Sequence, residues 1–267
     1  MLLRSVFGKT LRDLRWPTFW AAFALFAIAG YFTLLYPTYS KTFDLQDLLD
    51  KMPPAMKALI GGQFIDVSTV NGFLNIELFP LILPAVLAGY AVAQGSGMTA
   101  GEESRGTIDI LLSFPVSRRR LVLEKAAAVT ISVALVAFGM WVGAVGGAVG
   151  SGSPIGAGDV AAGLLLATLL ALDFGALALL IAAGSGARSA AIGVSVAVLV
   201  IMYFINALAP IITSLESIQR LSLFYWYLEG DPLRQGLSGA DAVVLAVVAI
   251  VLLGLSLIAF DRRDLAA

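Results

Sequence analysis

The sequence predicts an all-α integral membrane protein with six transmembrane helices, and three observations carry that prediction. Of the 267 residues, 59% are apolar and 13% charged, and the mean hydropathy is +0.92, far from the balance of a soluble domain. Runs of about 20 apolar residues recur along the chain, the length a helix needs to cross a hydrocarbon core of ~30 Å at ~1.5 Å per residue. These runs are continuous and do not alternate every second residue, so each segment satisfies its own backbone hydrogen bonds as a helix and not as a barrel strand.

The elements follow in order. In residues 1–17, Leu3, Phe7, Leu11 and Leu14 recur at helical spacing opposite Arg4, Lys9, Arg12 and Arg15. This pattern predicts an interfacial helix on the inner leaflet, with Trp16 at headgroup level and Pro17 in the first turn of the descending span. An ordinary positively charged flank is the other reading, and neither alters the topology. A signal peptide is disfavoured, because no short apolar core with a small-residue cleavage site follows. Span one covers 18–36. The outer loop, 37–77, holds a short amphipathic pattern in Phe43, Leu45, Leu48, Leu49 and Met52, stopped by Pro53-Pro54, and a second short helix over 55–60 closed by Gly61-Gly62.

Span two covers 78–94 and leads into a charged segment, 95–125, that is long for a bundle turn. Within it Gly106 breaks the chain, Thr107 is placed as an N-cap, and Asp109 sits in the first turn, where the helix dipole favours a negative charge. Ile108, Leu111, Leu112 and Pro115 fall at i, i+3, i+4 and i+7, giving about two turns one apolar face before Pro115 ends them. Ser117 then caps the next helix, whose first turn is Arg118-Arg119-Arg120. Such a helix fits a groove on a soluble partner, with flanking charges setting register. The alternative is a connector resting on the lipid surface.

Spans three to six cover 126–149, 160–183, 190–213 and 242–260. In span three Gly139, Gly143 and Gly147 are spaced by four, and Gly146 and Gly150 repeat the offset, which allows close helix approach. Span four carries Asp173 near its middle, and burying an ionisable residue there costs about 2.5–3.5 kcal/mol on insertion scales. Asn206 in span five is its expected polar partner. The carboxylate either lines a pathway for a polar or cationic substrate, takes part in gating, or makes a structural interhelical hydrogen bond. The outer segment 214–241 carries Phe224, Tyr225, Trp226 and Tyr227, read as an interfacial aromatic belt, with ligand binding as the alternative.

Charge sets the orientation. Arg4, Lys9, Arg12, Arg15, Arg105, Arg118, Arg119, Arg120, Lys125, Arg188, Arg262 and Arg263 fall on one side, against Lys41, Lys51, Lys57, Arg220 and Arg234 on the other. The positive-inside rule therefore places both termini in the cytoplasm, in keeping with an even number of spans.

The chain has no Cys and no His, which removes disulfide scaffolds, thiolate zinc sites, His-ligated haem and Ser-His or Cys-His nucleophile pairs. No metal site and no catalytic residue is expected. The lone G-K-T, Gly8-Lys9-Thr10, lacks the leading glycine of a phosphate-binding loop, whose place is taken by Leu3. Three function classes compete: a transport subunit driven from outside, a self-contained secondary transporter, and an intramembrane enzyme. A carrier calls for an internal repeat, broken helices and several intramembrane charges, and the sequence offers one mid-span Asp. An enzyme would need paired acid-base groups within the spans, and none is evident.

The stretch E-E-S-R-G-T-I-D-I-L-L-S-F-P-V-S-R-R-R-L-V-L-E-K resembles the segment after span two in ABC-2 type permeases, the membrane subunits of ABC exporters of the type V fold. The phrases M-P-P-A-M-K-A-L-I-G, G-F-L-N-I-E-L-F, F-Y-W-Y-L-E-G-D-P-L-R-Q-G and F-D-R-R-D-L extend the likeness over most of the chain. That resemblance implies a six-span half-transporter with an N-terminal elbow helix and a coupling helix that docks on a cytoplasmic ATPase. Glu102, Glu103, Arg105, Gly106 and Thr107 would hold the approach to that helix. Residues 108–114, with Ile108, Leu111 and Leu112, would form it, and Pro115, Ser117, Arg118 and Arg119 would end it. The chain itself would have no ATPase site and no cofactor, with ATP and Mg on two copies of the partner ATPase. A second permease chain, identical or a paralogue, would complete the complex in a prokaryotic cell membrane. Export is the expected direction, with mechanical work at the outer face as a variant. The substrate class is not encoded legibly.

Overall fold

In the computed structural model, residues 5–42, 47, 51–53, 56–57, 67–101 and 117–263 are described. The expected short helices of the outer loop fall largely outside these residues. The described chain is helical. Helix α1 (Val6–Thr42) is followed by α2 (Val70–Glu77), α3 (Ile82–Gly97), α4 (Arg118–Ser151), α5 (Ala157–Ser185) and α6 (Arg188–Leu208). Short helices α7 (Thr213–Glu216), α8 (Leu223–Leu228) and α9 (Pro232–Gln235), with a 3₁₀ turn at Gln219–Leu221, lead to α10 (Gly239–Arg262). Among the described residues, five helices are long and apolar enough to cross a membrane, and six if α2 and α3 form one bent span.

Two expectations about helix ends are corrected. The helix end expected at Pro17 is absent: residues 6–17 are continuous with span one in α1, which runs for 37 residues through Pro17 and Pro37. Proline removes one backbone donor and crowds the preceding turn, but the neighbouring positions hold the helix. Leu14 and Thr18 are buried, and the Thr18 hydroxyl bonds the Leu14 carbonyl at 2.8 Å and lies 2.7 Å from the Tyr90 hydroxyl of α3. At ~1.5 Å per residue α1 spans roughly 55 Å, so its ends extend beyond a ~30 Å core. Span five, expected to reach 213, stops at Leu208, since Pro210 cannot continue the ladder.

Span two is broken. Helices α2 and α3 meet at 54° across residues 78–81, where Pro80 would clash with the carbonyl four residues earlier in a straight helix. The break is fastened from the outer segment: the buried Tyr227 hydroxyl donates to the Phe79 carbonyl at 2.9 Å. Helix α2 is tied to the same segment by Asn75, which donates to Asp231 Oδ1 at 3.1 Å, and by Asn71, which donates to the Leu233 carbonyl at 3.0 Å. Asn71 Oδ1 also accepts from the Gly156 N–H at 3.1 Å, fixing the start of α5. The aromatic cluster is therefore not a simple interfacial belt. Phe224 and Tyr227 are core residues, with the Phe224 ring against Phe174, Tyr203 and Tyr227.

Helix α5 is the centre of the bundle, packed against α3, α10, α6 and α4, while α1 lies along α4. Two glycine contacts set these distances. Gly139, Gly143 and Gly147 of α4 receive the backbone of Ala22, Phe26 and Gly30 in α1, so close that a Cβ on Gly139 would lie 2.7 Å from the Ala22 carbonyl oxygen. The spaced glycines thus serve a contact within the chain. Gly146 has open space where a Cβ would go. Gly95 of α3 meets the backbone of Gly175 in α5, with no room for a Cβ. The α1–α4 pair is also latched at both ends, by Glu124 Oε2 accepting from the Phe7 N–H at 2.9 Å and by the Ser151 hydroxyl donating to the Thr33 carbonyl at 3.2 Å.

Candidate functional site

The two features singled out in sequence lie in different parts of the bundle. The first is the end where α1 begins, α3 ends, α4 begins, α5 ends, α6 begins and α10 ends. Ser117 caps α4 as expected, its Oγ accepting from the Arg120 N–H at 3.3 Å. Glu124, one turn further on, accepts from Arg120 Nε at 2.7 Å as well as from Phe7. One carboxylate therefore satisfies a free donor in the first turn of α1 and holds a cation of α4.

The other cations at this end tie helices together. Arg118 Nη1 donates to the Arg263 carbonyl at 3.0 Å, and its guanidinium lies 5.9 Å from the Phe260 ring centroid. Arg119 pairs with Asp261 at 2.5 Å. Lys125, 5% exposed, donates to the Met98 carbonyl at 2.9 Å, and Arg188 reaches the Ala93 carbonyl at 3.4 Å. Those last two carbonyls lie at the C-terminal end of α3, Met98 just past its last residue, where the dipole favours positive charge. Residues 101 and 117, which flank the charged segment, therefore sit at the same end as both ends of the described chain. Of the proposed coupling residues, Ser117, Arg118 and Arg119 are placed here. Glu102, Glu103, Arg105, Gly106, Thr107, Ile108, Leu111, Leu112 and Pro115 lie outside the described residues. Sequence reading had not assigned roles to Glu124, Asp261 or Met98. The one available signal was the four-residue spacing of Arg120 and Glu124.

The second feature is Asp173, fully buried in α5 with neither carboxyl oxygen hydrogen-bonded among the described residues. It lies 16 residues from one end of α5 and 12 from the other, so roughly 24 and 18 Å by helix rise, near mid-depth. Two residues on, Gly175 faces α3. A step of ~200° turns Asp173 away from that contact.

The expected Asp173–Asn206 pair is corrected. Asn206 Oδ1 instead accepts from Gln219 Nε2 at 3.2 Å, just beyond α6. The reason is depth: the two-residue turn at 186–187 sets the inner ends of α5 and α6 level, and Asn206 lies 18 residues from that end against 12 for Asp173, so the amide sits roughly 9 Å further out, near the outer end of its helix. Asn206 thus anchors the outer turn, and Asp173 stands apart from it.

What the structure builds is a helical bundle with a fastened basic end, a broken second span and one carboxylate at mid-depth. No curated protein and no solved structure matches the chain. The family model described as ABC-2 family transporter protein matches residues 5–265, nearly the whole length, and the chain belongs to that family as a multi-pass membrane permease component of an ABC transporter, a type of subunit that works with an ABC ATPase.

Proposed function

We propose that this chain is the membrane-spanning half of an ATP-driven exporter, worked from the cytoplasm by a separate ATPase that carries ATP and Mg. The observation that carries the proposal is the convergence, at one strongly basic end, of the flanks of segment 102–116 with the first and last described helices. By the positive-inside rule that end is cytoplasmic, and so are both termini. Segment 102–116 is the docking element, entering a groove on the ATPase through Ile108, Leu111 and Leu112, with Glu102, Glu103 and Arg105 setting register. Ser117, Arg118 and Arg119 hold the exit of that segment against α10. A push on the docked segment is then delivered to α4 and α10 together. The complex contains two ATPase subunits and a second permease chain in a prokaryotic cell membrane.

Asp173 belongs to the moving part in this reading. A structural interhelical hydrogen bond is poorly supported, because the carboxylate has no partner among the described residues. It serves as the polar point of a pathway or gate that gains a partner when the helices rearrange or a substrate arrives.

The test is a pull-down of the chain from its native membrane in mild detergent, with ATPase activity measured and Arg105→Glu run alongside. Co-purification of a phosphate-loop ATPase at near-equal amount, lost in the variant, is the expected result. Absence of any ATPase from both preparations, or normal coupling in the reconstituted variant, would refute it.

A further inference from the structure

Helices α4 and α10 are clasped where they reach the basic end and parted above it. Arg119 at the start of α4 pairs with Asp261 near the end of α10, and Arg118 donates to the Arg263 carbonyl just past it. Above that clasp both helices rest on α5, and a cleft of about 280 Å³ lies between the three. Helix α5 contributes Leu169, Leu172 and Ala176 from one face, and α10 contributes Ala246, Ala249 and Leu253. Although α5 is the centre of the bundle, these three of its side chains are only half-buried, because the gap reaches them. Exposed Thr130 of α4 and Ile250 of α10 belong to the same lining, so the cleft is open on its outward side.

Depth, width and polarity each narrow what can fill it. Counted by helix rise from the basic end, the lining runs from Leu179, roughly 9 Å in, to Leu169 and Ala246, each roughly 24 Å in. That length of about 15 Å is half of a ~30 Å hydrocarbon core, the share of one leaflet. Spread over it, the volume gives a mean section of roughly 20 Å², about 5 Å across. A helix with its side chains is ~10–12 Å across and does not fit, which excludes a span of a second copy. Water is excluded by chemistry: Thr130 has the one polar side chain of the described lining, and its hydroxyl donates to the Ala126 carbonyl at 3.0 Å. A water there would lack the 2–4 polar partners it needs. An empty cleft would forfeit contacts along three helices, and the medium at its mouth is hydrocarbon chain.

We propose that the cleft between α4, α5 and α10 is a lateral binding site for one acyl chain of a bilayer phospholipid, drawn from the leaflet at the basic end. The chain enters between Thr130 and Ile250 and lies along α5, and the headgroup stays outside. The site therefore reads chain length and not headgroup charge. A seated chain wedges α4 and α10 apart above their clasp. The inference requires only that the protein be membrane-embedded, and it stands apart from the direction of transport.

Two experiments on the full chain test it. In vesicles of phosphatidylcholine carrying a photoactivatable diazirine midway along one acyl chain, illumination should label Leu172 and Ala176 of α5 as well as the outward Val247 of α10. Absence of label from α5 overturns the proposal, and this arm needs no substitution. In native mass spectrometry of the detergent-purified protein, dioleoyl phosphatidylcholine and dioleoyl phosphatidylglycerol should be retained equally, and dihexanoyl phosphatidylcholine should be lost. Ala176→Phe and Ala249→Phe, each placing a ring in the cleft, should lose the dioleoyl lipids, while Val247→Phe at the same depth on the outward side keeps them. Retention in both ring variants equal to the parent's overturns the assignment, as does equal retention of long and short chains. Dissociation of a dimer by Ala249→Phe with lipid retention unchanged would give the cleft to a second copy and overturn it as well.

Discussion

Replacing Gly143 by Ala tests the packing that sets the α1–α4 distance, because a single methyl would be placed against backbone with nowhere to go. The added Cβ would meet the Phe26 carbonyl oxygen at an impossible distance, and the Phe26 carbonyl carbon and Cα at 2.8 Å each. Ordinary carbon contacts lie at ~3.5–4.0 Å, so α1 must retreat by about 1 Å, and such a gap forfeits a quarter to a half of each contact's attraction. Over ~40 atom pairs at ~0.1–0.2 kcal/mol the loss is about 1–4 kcal/mol, in line with the ~1–3 kcal/mol of overpacked cores. Alanine's better helix propensity returns up to ~1 kcal/mol, leaving a net loss of about 0–3 kcal/mol, centred near 1–2 kcal/mol. Gly146→Ala is the internal control: three residues away on the same helix, it has nothing within 4 Å of its Cβ and should be neutral or slightly stabilising. Thermal unfolding of both variants in one detergent provides the comparison. If Gly143→Ala melts with Gly146→Ala and with the parent, the close approach of α1 and α4 is wrong.

Two further substitutions probe other parts of the bundle. Tyr227→Phe removes the hydroxyl that satisfies the Phe79 carbonyl at the break in span two, leaving a buried acceptor unpaired at a cost of about 1–3 kcal/mol. A melting temperature equal to the parent's would show that the break is satisfied in some other way. Asp173→Asn should leave assembly and melting temperature within the range of a surface change, about 0.5 kcal/mol, since no bond of the folded chain is lost among the described residues. Transport by the reconstituted complex should fall. Loss of the variant from the membrane in a quantitative blot would make Asp173 a structural residue instead.

Much of the fold was readable along the chain because its causes are local. A long apolar run in lipid must be a helix, whatever its neighbours, and Ser117 caps α4 because side chain and free amide lie three residues apart. The segregation of basic residues likewise needed only counting, and the structure gathers Lys9, Arg118, Arg119, Lys125, Arg188 and Arg263 at one end as that count required. Family membership was legible for a related reason: motifs are strings of neighbours.

Tertiary structure decided what depends on residues far apart in sequence. Pro17 and Pro80 look equally disruptive, yet α1 passes through the first, where Leu14 and Thr18 are packed, and span two breaks at the second, where Tyr227 accepts the bend. Gly143 and Gly146 are the same residue in the same span, and only the position of α1 makes one a contact and the other open space. Asp173 and Asn206 seemed natural partners until the end of α6 placed them at different depths, sending the amide to Gln219 and leaving the carboxylate buried alone among the described residues. Local hydrogen bonding and solvent preference act through neighbours and are written in order along the chain. Depth, facing and closeness of helices come from packing against residues as far as 162 positions away, and only the folded bundle sets them.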